Sequence, residues 1–356
     1  MKIFKEEMTP KERMEAYFKG EEVDRLPCNL MFEETAAVYA GISTKEYYFD
    51  ADKMLEAEKF IVRELGAESA GINVTLRGMG EALGSKMGYN DNGASFLIEP
   101  ILKDYKMLEN MDIVNPYKQG RLPIILRALG KIKKELGKEI NIGSGVSGPM
   151  SAAFAIRGVD NLMKDMIKDK ENLHKLLAFM TECNLSFVRA VYSEYGLVCG
   201  IGDPLASGNL ISPKQFEEFV EPYLRKTIDG IYDITGKKPS LHICGKTKNI
   251  WRRLRNFNIS TFSVDNCEDI EELKKSIGDK VSILGNIDPV SIIRSGTIDD
   301  VDKAVKLCIE KAADSPKGYI VGSGCDIPSH APIENIKAVT EAVKKYSSKI
   351  RIRQGI

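Results

Sequence analysis

The sequence repeatedly alternates short β-branched or apolar runs with longer segments of helical periodicity, and this alternation most strongly constrains the fold. A loop rich in Gly, Asn, Asp or Pro follows each apolar run. About eight such runs are predicted to be strands, and they begin at Leu26, Ala67, Ile140, Leu197, Pro239, Ser260, Val281 and Gly318. Because parallel strands need long crossover connections, strand–helix alternation implies a parallel sheet.

The segments between these runs are predicted to be amphipathic helices that cover the sheet. The clearest are Ala51–Leu65, Asn172–Tyr195, Pro213–Thr235, Val301–Ala313 and Pro332–Lys345. About eight strand–helix units predict an α/β protein with a (β/α)8 TIM barrel, and an open doubly wound sheet remains the alternative. Few strands are visible between positions 51 and 195, which indicates extra helices near the N-terminal units.

No low-complexity stretch, Pro-rich linker or internal repeat announces a domain boundary. Although the chain has 356 residues, α/β barrels reach this length as one unit. We therefore expect a single (β/α)8 barrel domain over 1–356, with helical additions near the N-terminus.

Charge and hydropathy exclude several classes of function. The 51 Lys and Arg residues balance 51 Asp and Glu residues, which argues against binding nucleic acid through bulk charge. The basic segments 246–255 and 349–353 contain few aromatic residues, so we interpret them as solvated surface. Since the sequence has neither a signal peptide nor an apolar run of about 18 residues, it predicts a cytoplasmic protein that does not enter a membrane.

The seven cysteines are scattered over a long chain and form a poor disulfide framework, so we expect reduced thiols. Four of them fall within predicted strands or helices and are interpreted as core residues: Cys28, Cys183, Cys199 and Cys308. Cys267 lies closer to a loop, where a role in packing is favoured over metal binding. His174 and His330 are interpreted as surface or hydrogen-bonded structural residues.

The sharpest local motif is His242-Ile243-Cys244 at the end of a predicted strand. Residues two apart on a strand point to the same side, so the imidazole and the thiol can converge. Cys325 follows Gly322-Ser323-Gly324 at the end of the last predicted strand. In a closed barrel the loops after the strands meet above the barrel axis, so Cys325 can approach the other two residues. A His/Cys/Cys set with an open fourth position is typical of catalytic zinc. The alternative is that this spacing arises by chance and that both cysteines are buried packing residues.

Other polar residues are predicted in the loops after the strands, where barrel enzymes carry their chemistry. They are Glu33, Glu34, Arg77, Glu81, Ser147, Asp203, Asp265, Asn266, Asn286, Asp288 and Asp326. The letters Gly143-x-Gly145-x-x-Gly148 match G-x-G-x-x-G but begin within the predicted strand rather than after it, and the sequence contains no P-loop or G-x-S-x-G motif. The Gly-rich stretch 143–149 lacks a lysine and is interpreted as a close backbone approach to a bulky ligand.

Several longer motifs resemble a known superfamily. They include MTPKERMEAYFKGEEVDRLP from Met8, GDPLASGNLISPKQFEEFVEPYLRK from Gly202, LHICGK from Leu241, ILGNIDP from Ile283 and GSGCDIPSHAPIENIKA from Gly322. Over nearly the whole chain the sequence is similar to the uroporphyrinogen decarboxylase-like (β/α)8 barrels. Within them it most resembles the zinc-dependent methylcobamide:coenzyme M methyltransferases. That family's His-x-Cys…Cys zinc motif falls on His242, Cys244 and Cys325.

Two departures separate the chain from the decarboxylases themselves. The arginine motif that holds the substrate carboxylates there is absent, because CNLMFEET follows Leu26-Pro27. Cys325 stands where the decarboxylases carry a histidine in the last strand loop. The sequence therefore retains the barrel but not the porphyrinogen site.

The resemblance implies a corrinoid-linked methyltransferase in which His242, Cys244 and Cys325 are the catalytic zinc ligands. Such a zinc ion binds a substrate thiol as the thiolate, which attacks the methyl group of a methylcob(III)amide. Asp265 is expected to support the ligands or to serve as the fourth ligand. Asp203, Asn286 and Glu81 are candidates for orienting the substrate or the corrinoid.

The partners follow from the same resemblance. The sequence lacks a D-x-H-x-x-G corrinoid motif, so the corrinoid is expected on a partner protein. Coenzyme M is the implied acceptor, and Arg77, Lys246 and Asn286 are possible partners for its sulfonate. Three alternatives remain: a porphyrinogen decarboxylase-like lyase, a corrinoid-linked demethylating enzyme with another methyl donor or acceptor, and a module that binds a corrinoid protein without turnover.

Overall fold

The structure is a computed structural model that describes residues 6–348. Eight parallel strands form one sheet in the order β1-β10-β9-β8-β7-β6-β5-β2, and β3 and β4 form a separate antiparallel pair. The strands are β1 Cys28–Asn29, β2 Ser69–Asn73, β3 Lys86–Gly88, β4 Phe96–Glu99, β5 Asn141–Ser147, β6 Cys199–Gly202, β7 Ser240–Ile243, β8 Thr261–Val264, β9 Ser282–Ile287 and β10 Tyr319–Ser323.

Helices connect the parallel strands and cover the outside of the sheet. They are α1 Pro10–Phe18, α2 Thr35–Tyr39, α3 Thr44–Phe49, α4 Ala51–Glu64, α5 Thr75–Ala82, α6 Leu122–Leu136, α7 Pro149–Arg157, α8 Val159–Lys168, α9 Lys170–Tyr195, α10 Pro213–Gln215, α11 Glu221–Thr235, α12 Trp251–Leu254, α13 Ile270–Ile277, α14 Ile298–Ala312 and α15 Ile333–Ser347. Short 3₁₀ turns span Tyr105–Asn110, Pro204–Ala206 and Lys248–Ile250, and π-helical turns span Phe216–Val220 and Pro289–Arg294.

Side chains bridge the seam between β1 and β2, the two ends of the strand order. Ser69 Oγ donates a hydrogen bond to Asn29 Oδ1 at 2.6 Å. The backbone N–H of Cys28 donates to Glu68 Oε2 at 3.2 Å. Eight parallel strands with a bridged seam form a nearly closed barrel, which confirms the predicted (β/α)8 fold.

Each of the eight predicted strand runs contains one strand of the barrel, and each of the five clearest helical segments is helical. Two local features differ from the prediction. The hairpin of β3 and β4 was not expected. Because β5 extends through Ser147, most of the Gly-rich stretch 143–149 lies in a strand rather than in a loop. The extra helices expected near the N-terminal units are present: α5 and α6 separate β2 from β5, α7, α8 and α9 separate β5 from β6, and α1, α2 and α3 precede position 51.

The hydrophobic core lies between the barrel and its helices. All four residues of β8 and all five of β10 are buried, as expected for strands covered on both faces of the sheet. The four cysteines predicted to pack in the core are buried, namely Cys28, Cys183, Cys199 and Cys308. Among the helices of 6–348, none is long and apolar enough to cross a bilayer. The basic segment 349–353 lies outside the described residues.

A capping box fixes the start of α14. Thr297 Oγ1 accepts the N–H of Asp300, and the Asp300 carboxylate accepts the N–H of Thr297 in return. We expect Thr297→Ala to lower the free energy of unfolding by about 1 kcal/mol, because it leaves a helix N–H without its acceptor. Urea denaturation measures this change, with Ser295→Ala at an exposed position nearby as the control. Equal stability of the two variants would contradict the capping role.

Candidate metal centre

His242, Cys244 and Cys325 converge at one point of the barrel mouth. One ligand atom from each lies within 4.8 Å of the others. His242 Nε2 is 3.0 Å from Cys244 Sγ, and Cys244 Sγ is 3.5 Å from Cys325 Sγ. The structure therefore brings together the three residues that the sequence analysis selected.

The local backbone explains this convergence. His242 lies in β7 and Cys244 follows its last residue, so both side chains point into the barrel mouth. Gly245 turns the chain away with φ +71°, a region that favours glycine. After β10, a Cβ at Gly324 would lie 2.5 Å from the backbone nitrogen of Asn266. Only glycine permits this approach, and it places Cys325 beside the other two residues.

The orientation of the imidazole suits metal binding through Nε2. His242 Nδ1 lies 3.0 Å from Ser263 Oγ and 3.2 Å from the Ser263 carbonyl oxygen. An Nδ1–H that donates to this carbonyl leaves the Nε2 lone pair directed at the two sulfurs. Ser263 on β8 thus sets the tautomer of the candidate ligand.

The two thiols perturb each other's ionisation. The hydrogen bond from Cys244 lowers the pKa of Cys325 to about 4, and His242 lowers it further against the opposing effect of burial. The same hydrogen bond, with burial, raises the pKa of Cys244. A sulfur pair that already stabilises a thiolate is typical of a metal-binding or reactive site.

These donor atoms fit a zinc ion. Zinc–sulfur and zinc–nitrogen bonds of about 2.0–2.3 Å in a tetrahedron separate the donors by about 3.5–3.8 Å. The observed separations of 3.0 and 3.5 Å lie at or slightly below this range. Two sulfurs and one imidazole are also ligands that zinc prefers. Three protein ligands leave one position of a tetrahedron for another group.

A group of carboxyl side chains, which the sequence analysis placed in loops without a specific role, lies beside this cluster. Burial, with Asp326 and Glu34 nearby, raises the pKa of Glu33 well above its ordinary value. Burial and the adjacent Cys325 raise the pKa of Asp326 to about 8. Only the strand order could have revealed this group, because β1 and β10 are neighbouring strands and the loops that follow them adjoin.

Asp265 and Asn286 support the cluster from behind. Asp265 Oδ2 accepts the N–H of Gly245 at 2.8 Å, and its Oδ1 accepts the N–H of Cys267 at 2.9 Å. Asn286 lies within β9 and donates to the Asp265 carbonyl oxygen at 3.1 Å. Asp265 thus ties the loop after β7, which carries Cys244, to the loop after β8, and Asn286 holds the loop after β8. Neither residue lines the cavity described below.

The other predicted residues lie away from the cluster. Asp203 is buried and accepts the N–H and hydroxyl of Ser151 at 3.0 and 2.6 Å. Glu81, on α5, pairs with Arg121 at 2.9 Å. These contacts give Asp203 and Glu81 structural partners, and neither side chain lines the cavity. Arg77 and Lys246, named for a sulfonate, are absent from its lining too.

A cavity of about 430 Å³ runs from the cluster into the barrel. Near the mouth it is lined by His242, Cys244, Cys325 and Asp326, and deeper by Asn141 and other residues from the starts of the strands. A small substrate bound here would reach the sulfurs directly. The arrangement defines a barrel with a thiol-rich candidate metal site at the C-terminal ends of its strands.

Comparison with known proteins places the chain within a family. The model for uroporphyrinogen decarboxylase (URO-D) matches residues 9–346. This match covers nearly the whole chain, so the chain belongs to the URO-D family. The resemblance described from the sequence motifs is confirmed.

Several named relatives that match over nearly the whole chain are methyltransferases. The chain is 29% identical over 347 residues to the methylcobamide:CoM methyltransferase MtbA of Methanosarcina acetivorans, covering 96% of this chain and 99% of the relative. It is 27% identical to a methylated-thiol:coenzyme M methyltransferase of Methanosarcina mazei, with 95% and 90% covered. A solved methyltransferase from Methanosarcina mazei superimposes with a TM-score of 0.84 at 25% identity, over 96% and 99% of the two chains. These comparisons confirm the predicted enzyme class, a methyltransferase.

Proposed function

We propose that the protein transfers a methyl group between a methylcob(III)amide, carried by a partner corrinoid protein, and a thiol bound at a zinc ion. The observation that carries this proposal is the convergence of His242, Cys244 and Cys325 beside an open cavity. These three residues would hold zinc, a Lewis acid that would keep a bound substrate thiol deprotonated at neutral pH. The names of several relatives support a corrinoid as the methyl carrier and coenzyme M as an acceptor in those proteins.

The protein's own residues bind and orient the reactants. The cavity below the cluster takes the tail of the thiol, so its sulfur faces the barrel mouth, where the corrinoid arrives. The sulfur then forms a bond to the methyl carbon while the cobalt–carbon bond breaks and cobalt keeps the electron pair. In the thiol-methylating direction, the products are a thioether and cob(I)amide. Asp265 holds the ligand loop in place through its hydrogen bond from Gly245.

A decarboxylase-like lyase fits the cavity less well. A porphyrinogen carries several carboxylates, which need cationic partners in a buried site. The described residues that line this cavity contribute no Lys or Arg side chain, but they do contribute Glu33, Glu58 and Asp326. The lack of cationic side chains in the described lining therefore supports the methyltransferase over the decarboxylase.

Two further features belong to the proposal. We propose that the whole chain acts as one barrel domain, because both ends of the strand order meet at the bridged seam. All seven cysteines are free thiols, which suits a reducing compartment, and we propose the cytoplasm.

The test mixes the zinc-loaded protein with methylcobalamin and a panel of small thiols. We expect the cobalt absorption spectrum to change from that of methylcob(III)alamin to that of cob(I)alamin under anaerobic conditions, with one methylthioether formed per methyl group lost. Zinc-free protein is the control. A spectrum that stays unchanged with every thiol would refute the proposed reaction, and persistent binding of a corrinoid protein without methyl transfer would favour the binding module.

A further inference from the structure

The interior of this barrel is hollow where barrels of this class are normally filled. In most (β/α)8 barrels, layers of bulky branched side chains occupy the interior. Here the cavity is lined by glycine at five positions of three adjacent strands: Gly71, Gly143, Gly145, Gly200 and Gly202. A Cβ at Gly143 or Gly202 would meet no atom within 4 Å. Larger residues would fit at Gly143 and Gly202, so glycine at these two positions leaves room for a ligand.

The cavity extends well below the metal centre. On β5, its lining runs from Ser147 to Asn141, which are about 20 Å apart along a strand at 3.3 Å per residue. Ser147 pairs with Gly202, which in turn pairs with His242, whereas Asn141 pairs with Ser69 at the other end of the barrel. A two-carbon thiol at the zinc would leave most of this length empty.

The deep part of the cavity contains two buried polar groups without partners. Glu58 is 1% exposed, and its Oε2 is occupied by the N–H of Gly71, but its Oε1 has no hydrogen-bond partner. Asn141 Nδ2 is likewise buried without a partner. Both residues line the cavity. Buried polar groups are normally hydrogen-bonded, so these two atoms indicate a ligand that supplies the missing partners.

The chemistry of these two groups restricts the ligand. An amide nitrogen donates a hydrogen bond, and burial raises the pKa of Glu58 to about 8, so its carboxyl group is mostly protonated at neutral pH and can donate one as well. Amide and hydroxyl oxygens accept such bonds without carrying a charge, whereas a sulfonate accepts them as an anion and an ammonium group only donates. A buried anion also needs a cationic partner. The described lining contains no Lys or Arg, and Arg121 nearby is paired with Glu81 and Thr75 Oγ1.

We propose that the acceptor is a thiol with an uncharged tail, bearing amide or hydroxyl groups, that extends down the barrel to Glu58 and Asn141, rather than a thiol with an anionic tail such as coenzyme M. This inference rests on the proposed methyl transfer to a thiol. It identifies Glu58 and Asn141 as residues that determine specificity at a distance from the metal centre. The thiol sulfur remains at the mouth, facing the corrinoid.

The first experiment compares coenzyme M with N-acetylcysteamine, which has the same two-carbon spacer and the same number of non-hydrogen atoms but an uncharged amide tail. Titration calorimetry on the zinc-loaded protein is expected to give a dissociation constant at least about tenfold lower for N-acetylcysteamine, because one buried charge without a partner costs this much or more. Equal or tighter binding of coenzyme M would overturn the tail assignment alone. Failure of every thiol to bind, with no methyl transfer from methylcobalamin, would overturn the proposed function as well.

The second experiment uses pantetheine, whose longer amide and hydroxyl tail reaches farther into the cavity. Glu58→Leu removes the unpaired carboxyl group and is expected to weaken pantetheine binding about tenfold, whereas Glu58→Gln keeps a hydrogen-bond donor there and should retain most of the affinity. Glu56→Leu, at an exposed position of the same helix, is the matched control. Gly143→Val fills the cavity and is expected to abolish pantetheine binding while the zinc content stays unchanged. Unchanged pantetheine affinity in both Glu58→Leu and Gly143→Val would refute the proposed tail site.

Discussion

Cys325→Ala is expected to lose its zinc and, with it, methyl transfer to thiols. A change to a residue behind a metal ligand already lowers metal affinity by about 10–100-fold, and loss of a ligand should exceed that range. Cys325 lies in the loop after β10, three strands from β7 in the strand order, and no other cysteine among the described residues belongs to the cluster and could replace it. Metal analysis of the purified variant measures the loss.

Cys267→Ala is the matched control for this prediction. Cys267 is an exposed cysteine in the loop after β8, on the same face of the barrel, and it is not part of the cluster. The control should keep one zinc per chain. Since thiol ligands bind metal as thiolates, zinc should also dissociate from the unmodified protein on acidification. Equal zinc in the Cys325 variant and the control, or none in either, would eliminate the zinc assignment.

The barrel could be predicted from the sequence because its strands are short apolar runs separated by helices of clear periodicity. The runs that begin at Val281 and Gly318, for example, contain β9 and β10, in which all or nearly all residues are buried. The β3 and β4 hairpin escaped prediction for the opposite reason. Its residues, such as Lys86 and Phe96, are largely exposed, so they show no alternation of buried and exposed positions.

The candidate site was predictable where it depended on local geometry. His242 and Cys244 are two residues apart on one strand, and this spacing alone places them on the same side. The roles of Glu58 and Asn141 could not be predicted, because they depend on the absence of side chains at glycines of other strands. The neighbouring carboxyls of Glu33 and Asp326 required knowledge that β1 and β10 are adjacent strands, so that the loops after them adjoin.

Asp203 and Glu81 show a different limit of sequence reasoning. A polar residue after a strand can face the ligand or fasten its own loop, and sequence position does not distinguish the two. The Asp203 carboxyl accepts the hydroxyl of Ser151 on α7, and Glu81 pairs with Arg121. Their predicted contact with substrate or corrinoid has no counterpart in the cavity lining. For Asp265, in contrast, the predicted support of the metal ligands matches a direct hydrogen bond to the ligand loop.

That hydrogen bond leads to the second large prediction, which concerns Asp265→Ala. The Asp265 carboxylate binds the N–H groups of Gly245 and Cys267 and thereby ties the loop after β7 to the loop after β8. Without it, Cys244 is no longer held beside Cys325, so the three ligands must be ordered when the metal binds. We expect zinc affinity to fall by about 10–100-fold, the usual effect of removing such support.

Competition with a fluorescent zinc chelator measures this affinity, and two variants separate positioning from general loop damage. Asp265→Asn keeps one acceptor oxygen for the N–H of Gly245 and should recover part of the affinity. Asp288→Ala removes an equivalent carboxylate that accepts the N–H groups of Val290 and Ser291 after β9, at the same face of the barrel. Because Asp288 does not contact the ligand loop, this control should bind zinc as tightly as the unmodified protein. If the two alanine variants lose zinc affinity equally, Asp265 has no specific role at the metal centre.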